Sequence, residues 1–132
     1  MNSNEKTKKI GIGIIGCGLI GNKRAAALSS DVDLIACADI HYPQSEKLAA
    51  LYGAQAFSAY EDLLKLKEID MVIIATLHDS LAEISLAAIE AGKHVFVEKP
   101  AARSARELEG VMDAANAHAV KVHVGFNHRY HE

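Results

Sequence analysis

The 132-residue chain has no apolar run near the roughly 18 residues of a membrane span, and its start, "MNSNEKTKK", lacks the apolar core of a signal peptide. It has no low-complexity linker and no internal repeat. Its two cysteines, Cys17 and Cys37, form no C-x-x-C pair and read as reduced, intracellular, buried thiols that could lie near each other on adjacent strands, a regulatory disulfide being the less favoured reading. An excess of one charge sign is also lacking. The formal net charge is −3, and the basic run Lys6–Lys9 is too short to argue for nucleic acid, so it reads as a solvated tail over residues 1–8. No partner among nucleic acids or membranes is expected. The cytoplasm is the expected compartment, by absence of any other signal.

Half of the residues are hydrophobic, enough for the core of one domain, expected here over residues 9–132. Short apolar runs at 9–16, 33–39, 54–57, 70–76, 94–99 and 120–126 alternate with helical stretches. Several runs are nearly continuous in Ile, Val and Ala, as in parallel strands covered on both faces. Three S-x-x-E pairs, Ser58/Glu61, Ser80/Glu83 and Ser104/Glu107, read as capping boxes at helix starts. Pro43 suits a first helical turn, and Gly53 and Gly92 suit helix C-termini. The fold class that follows is α/β, a doubly wound parallel sheet of six strands in the order 3-2-1-4-5-6.

Residues 11 to 21, "GIGIIGCGLIG", contain two overlapping copies of G-x-G-x-x-G. A dinucleotide fingerprint needs a strand before it and a helix opening from it, so that backbone N–H groups meet a pyrophosphate. The copy Gly11, Gly13, Gly16 has only a polar tail before it and a turn after it. Its first two glycines are expected inside the first strand, where small residues let a helix approach closely. The copy Gly16, Gly18, Gly21 has "KIGIGII" before it and "LIGNKRAAALSS" after it, so Gly16, Gly18, Leu19, Ile20 and Gly21 form the expected pyrophosphate loop. The second strand run ends in Asp39, at about the spacing where an acid hydrogen-bonds the adenosine ribose. Ile40 lies beside it. An acid there repels a 2′-phosphate and no arginine follows it, so NAD is favoured over NADP.

"EAGKHVFVEKP" (90–100), with "GIIGCGLIG", "ACADI", Ala75–Thr76 and "VGFNHRY" (124–130), resembles the glucose–fructose oxidoreductase/inositol dehydrogenase family (Gfo/Idh/MocA) from about Lys9 onward. The resemblance implies a Rossmann domain serving NAD(P)-dependent hydride transfer at a carbinol carbon of a sugar, cyclitol or related polyol. It also implies a place for Thr76 beside the nicotinamide, for Glu98 near the nicotinamide ribose, and for Lys99 at the reacting hydroxyl. A lysine suits that position, because hydride leaves the carbinol carbon as its hydroxyl loses a proton.

Two departures from the family pattern stand out. Leu81 falls where many members carry a histidine after the Thr, while His78 comes early; His78 either points into the cofactor cleft or sits in a loop before the Ser80 cap. The chain also stops at Glu132, where the family's first domain ends. The resemblance therefore implies a further C-terminal domain, absent here, that would bring the polyol or sugar substrate and most of a homo-oligomer contact. The isolated chain is then expected to bind cofactor without turnover. A stand-alone, non-catalytic dinucleotide sensor and an NADPH-dependent reductase of another Rossmann family are the alternatives. His123, His128 and His131 do not complete a metal set with any cysteine or acid cluster, and no metal is expected.

Overall fold

The computed structural model describes residues 9–76, 78–98 and 105–125; the side chains of His78 and Glu98 lie outside the description. Six strands form one parallel sheet: β1 (Ile10–Ile15), β2 (Val32–Ala38), β3 (Gln55–Phe57), β4 (Met71–Ile74), β5 (His94–Glu98) and β6 (Val122–Gly125). Their order is β3-β2-β1-β4-β5-β6, as the alternation of apolar runs and helical stretches predicts. Five helices connect them: α1 (Leu19–Ala26), α2 (Tyr42–Tyr52), α3 (Tyr60–Leu64), α4 (His78–Glu90) and α5 (Ala105–Ala117).

Period-two alternation along each strand explains the two cores. Ile15, Ala36, Ala38, Val72, Ile74, Val95 and Val97 face α3, α4 and α5 and pack with Leu63, Leu81, Ile89 and Val111. The residues between them, Ile12, Ile14, Cys37 and Ile73, face the other way and pack with Ala25 of α1 and Leu48 and Ala49 of α2. Burial on both faces is why these strands read as continuous apolar runs rather than as an amphipathic alternation.

The first glycine copy lies inside β1. A side chain at Gly13 would reach within 2.8 Å of Leu63 Cδ2 and 3.0 Å of Ile69 Cδ1, so its absence lets α3 seat on the sheet, as expected. At Gly11 the space is filled instead by the Glu68 carbonyl, in the connection from α3 to β4 rather than in a helix.

Helix starts depart from the expected capping boxes. The cap of α3 is Ala59 rather than Ser58, with no side-chain bond to it. α4 begins at His78, so Ser80 lies inside its first turn and His78 is helical rather than in a loop. Only three residues separate β4 from α4, so the helix is under way before Ser80. Ser104 lies outside the described residues. The other signals hold: Pro43 is in the first turn of α2, Gly53 caps that helix with φ 70°, and Gly92 follows α4 with φ 80°.

Candidate functional site

Every observed strand but β3 ends one or two residues short of its apolar run, and Gly16, Asp39, Ala75 and Thr76 fall just beyond those C-terminal ends. They meet where the strand order reverses, between β1 and β4, which is where open α/β sheets form a crevice.

Gly16 turns the chain out of β1 with φ +97°, a conformation that side-chain-bearing residues rarely adopt. Its N–H donates to Ala38 O at 2.8 Å. A Cβ here would lie 2.6 Å from Ala75 O and 2.9 Å from Thr76 N, so the glycine closes the turn directly against the end of β4. Gly21 is buried in α1, and a Cβ there would overlap the Gly16 carbonyl; its smallness lets the helix start tight against the turn. Gly18 is the opposite case. It caps α1 in an extended conformation, and nothing lies within 4 Å of where its Cβ would be. No side chain caps this helix end, so its first-turn N–H groups have no capping side-chain acceptor.

Three side chains fix the turn. Asp39 Oδ2 accepts from Cys17 N–H at 2.7 Å, and Asp39 Oδ1 accepts from His41 N–H at 2.8 Å. The acid at the end of β2 is therefore tied to the loop at the end of β1. Asn22 Nδ2 donates to Cys17 O at 3.0 Å and to Gly18 O at 2.9 Å, turning both carbonyls toward the helix. Cys17 Sγ donates to Ala38 O at 3.4 Å. Around this turn the expected apolar residues stand out in solvent: Leu19 is 78% exposed, Ile20 41% and Ile40 84%. Apolar side chains left open beside an uncapped helix end suit a ligand with a phosphate and a flat, partly apolar ring system.

Thr76 closes the other side. Its Oγ1 is buried and has no hydrogen-bond partner among the described residues. A buried hydroxyl without a partner costs on the order of 1–3 kcal/mol, which a bound group could recover. The backbones of His78 and Glu98 open α4 and end β5, on the same side of the sheet as Thr76. Lys99 lies outside the described residues.

Two residues that sequence reasoning passed over hold the scaffold. Lys93, only 8% exposed, donates from Nζ to Leu66 O at 2.7 Å and to Ile69 O at 2.8 Å. Burial holds its ammonium below the ordinary lysine range, opposed by the nearby charges of Asp70 and Glu68. It is the lysine of "AGKHV", so the motif itself was the available signal. The other is Asn22, which carries no signal beyond its place one residue after Gly21. Among the described residues no group of three or more His, Cys, Asp or Glu could hold a metal ion. His123 lies in β6 and stacks on Phe96 with ring centroids 5.5 Å apart. No helix among the described residues is long and apolar enough to cross a membrane.

A doubly wound parallel sheet, with a three-glycine turn at its switch point and an acid at the end of the second strand, defines a dinucleotide-binding domain. Comparison with known proteins narrows this. The chain belongs to the oxidoreductase family with an NAD-binding Rossmann fold, whose model matches residues 10–126. It is similar to inositol 2-dehydrogenase of Salmonella typhimurium, 33% identical over 124 residues, which cover 89% of this chain and 37% of that protein. It is also similar to glucose-6-phosphate 3-dehydrogenase of Bacillus subtilis, 34% identical over 90% of this chain and 34% of that protein. Among solved structures it resembles an NAD binding oxidoreductase from Klebsiella pneumoniae, with 33% identity and a TM-score of 0.80 over 91% of this chain and 35% of that one. GenD2 from gentamicin A biosynthesis, solved in complex with NAD, aligns with a TM-score of 0.87 at 27% identity, covering 89% of this chain and 34% of that one. The chain thus spans little more than a third of the length of these relatives.

Proposed function

We propose that this chain is the cofactor half of an NAD-dependent dehydrogenase acting on a sugar, cyclitol or related polyol. The observation that carries the reading is the vacant space over Gly18 at the uncapped start of α1, beside an acid anchored at the end of β2. Gly16 and Gly21 shape the turn, and the N–H groups of Gly18, Leu19 and Ile20 meet the pyrophosphate. Asp39 keeps its carboxylate aligned through the Cys17 and His41 N–H groups and accepts from the ribose hydroxyls. A 2′-phosphate there would meet a like charge, so NAD is preferred to NADP. Ile40 flanks the adenine side. Thr76 Oγ1 offers its unused hydrogen-bonding capacity on the nicotinamide side, with Glu98 and His78 at the same end of the sheet.

Bound there, the nicotinamide would exchange a hydride with the substrate carbon. Lys99 would hold or move the proton of the reacting hydroxyl, as the resemblance implies. The substrate itself would be held by sequence beyond this chain, together with the contacts of a homo-oligomer. The names of two relatives, inositol 2-dehydrogenase and glucose-6-phosphate 3-dehydrogenase, support the polyol class.

Calorimetric titration of the chain with NADH and NADPH tests the reading. NADH is expected to bind more tightly, and Asp39→Ala is expected to weaken it while narrowing the gap between the two. Absence of heat with either ligand at millimolar concentration would refute the binding site. Tighter NADPH would refute the role of Asp39.

A further inference from the structure

Cys17 and Cys37 are both free and both buried, at 2% and 0% exposure. Cys37 lies in β2 opposite Ile14, and Cys17, two residues past the end of β1, is bonded through Sγ to Ala38 O and through its N–H to Asp39. Both side chains enter the cluster formed by Ile12, Ile14, Ala25 and Leu48. The two thiols share this one cluster, and Cys17 Sγ lies 3.4 Å from the carbonyl of Ala38, the residue after Cys37. The pair is asymmetric. The neighbouring Cys17 side chain lowers the Cys37 pKa against the effect of burial. Cys17 is pushed far above the ordinary thiol range, first by Cys37, then by burial and the Asp39 charge.

We infer that Cys17 and Cys37 form a dithiol site that a peroxide converts to an intramolecular disulfide, and that this closure weakens cofactor binding at the adjoining loop. The second half rests on the NAD-binding reading above. The Cys37 thiolate attacks one peroxide oxygen, the O–O bond breaks, and the departing oxygen leaves as hydroxide, which a proton converts to water. The Cys17 sulfur then displaces the remaining oxygen from the Cys37 sulfenic acid, forming the S–S bond and releasing a second water. Two thiols are oxidised by two electrons, and one peroxide is reduced to two waters.

Closure carries a geometric cost at the loop. A disulfide holds its sulfurs about 2.05 Å apart, well inside the van der Waals contact of two thiols, so closure must draw the two residues together. Cys17 is the side free to move, because Cys37 is fixed in the sheet by its pairing to β1 and β3. Drawing Cys17 toward β2 takes its N–H off the Asp39 carboxylate and its carbonyl off Asn22. Peroxide reaches the thiols only when the loop lifts, so a cofactor lying on Gly18 slows the oxidation. The two effects are the reciprocal faces of one linkage.

The test is to treat the chain with hydrogen peroxide, with and without saturating NAD, and follow intact mass and a non-reducing peptide map. The expected product has lost two hydrogens, carries a Cys17–Cys37 link and reverts with dithiothreitol, and its formation slows with NAD present. The oxidised chain is expected to bind NADH about tenfold more weakly, a loss of roughly 1.4 kcal/mol. Cys37→Ser, or Cys37→Ala should the serine variant fail to fold, is expected to keep NADH binding and to lose no hydrogens. Mass gain by oxygen without a link overturns the site, and a linked chain with unchanged NADH affinity overturns the coupling. A reduced chain that binds no NADH removes the coupling together with the reading it rests on, while the mass measurement still decides the disulfide.

Discussion

Replacing Gly16 and Gly18 separately by alanine divides the turn into a part that shapes the fold and a part that meets the ligand. At Gly16 the new methyl must adopt φ +97° and would lie 2.6 Å from Ala75 O, 2.7 Å from Ala75 C and 2.9 Å from Thr76 N. The neighbours are all backbone at the end of a core strand, so none can swing away. The left-handed conformation costs about 1–3 kcal/mol and overpacking a further 1–3. Gly16→Ala is therefore expected to lose about 2–6 kcal/mol, a large share of the 5–15 typical of a domain, and to lower Tm by roughly 10–20 °C. At Gly18 the methyl meets nothing within 4 Å and the backbone is extended. Losing glycine at a helix N-cap costs only about 0.5–1 kcal/mol. The same methyl would stand where a pyrophosphate approaches, and about tenfold or more in NADH affinity is expected to go. Thermal unfolding and NADH titration of both variants provide the comparison. A Gly18→Ala chain that binds NADH as the parent does, or a Gly16→Ala chain with an unchanged Tm, would refute the reasoning.

Lys93→Met should cost about 2–4 kcal/mol, since it leaves the buried carbonyls of Leu66 and Ile69 without a donor; urea unfolding measures it. The pH dependence has a definite sign. Burial lowers the folded-state pKa of Lys93, so below it both states are protonated and the penalty for burying the charge is complete. As pH rises from that pKa toward 10.5 the unfolded chain holds the extra proton, so stability contributed by this group rises. Tyr60, whose pKa is raised by burial and by Glu61 and Glu83, acts in the opposite sense near and above pH 10. Subtracting the Lys93→Met profile from that of the parent isolates the lysine. Asn22→Ala is expected to lose about 1 kcal/mol of stability and several-fold in NADH affinity, because the Cys17 and Gly18 carbonyls are no longer held against the helix. Unfolding and titration on one preparation would separate the two effects.

The sheet order and its glycine turn were legible because they rest on local rules: apolar runs, their spacing, and a strand on one side of the second glycine copy with a helix on the other. The place of Asp39 at the end of β2 was legible from the strand run and its spacing, and its two backbone bonds give an acid a structural part there. The capping boxes were misread at Ser58 and Ser80 because a short motif does not register how closely the preceding strand sets the helix start. The motif marked Lys93 but not its role, and nothing marked Asn22, because their partners are backbone carbonyls, for Lys93 as far off as Leu66 and Ile69, and backbone acceptors have no sequence signature. Gly11 was half right: the space it leaves was predicted, but a loop carbonyl fills it rather than a helix.

The two hydrogen bonds of Asn22 bear on more than loop rigidity. By turning the Cys17 and Gly18 carbonyls back toward the protein, they strip the rim of the turn of acceptors and leave it a surface of donors at the positive end of α1. Such a rim sorts visitors by the sign of their charge before their shape is felt. A hydrated cation finds neither the Cys17 nor the Gly18 carbonyl free to replace its water, while an anion at the helix start is held for Asp39 and Thr76 to test the rest of the molecule.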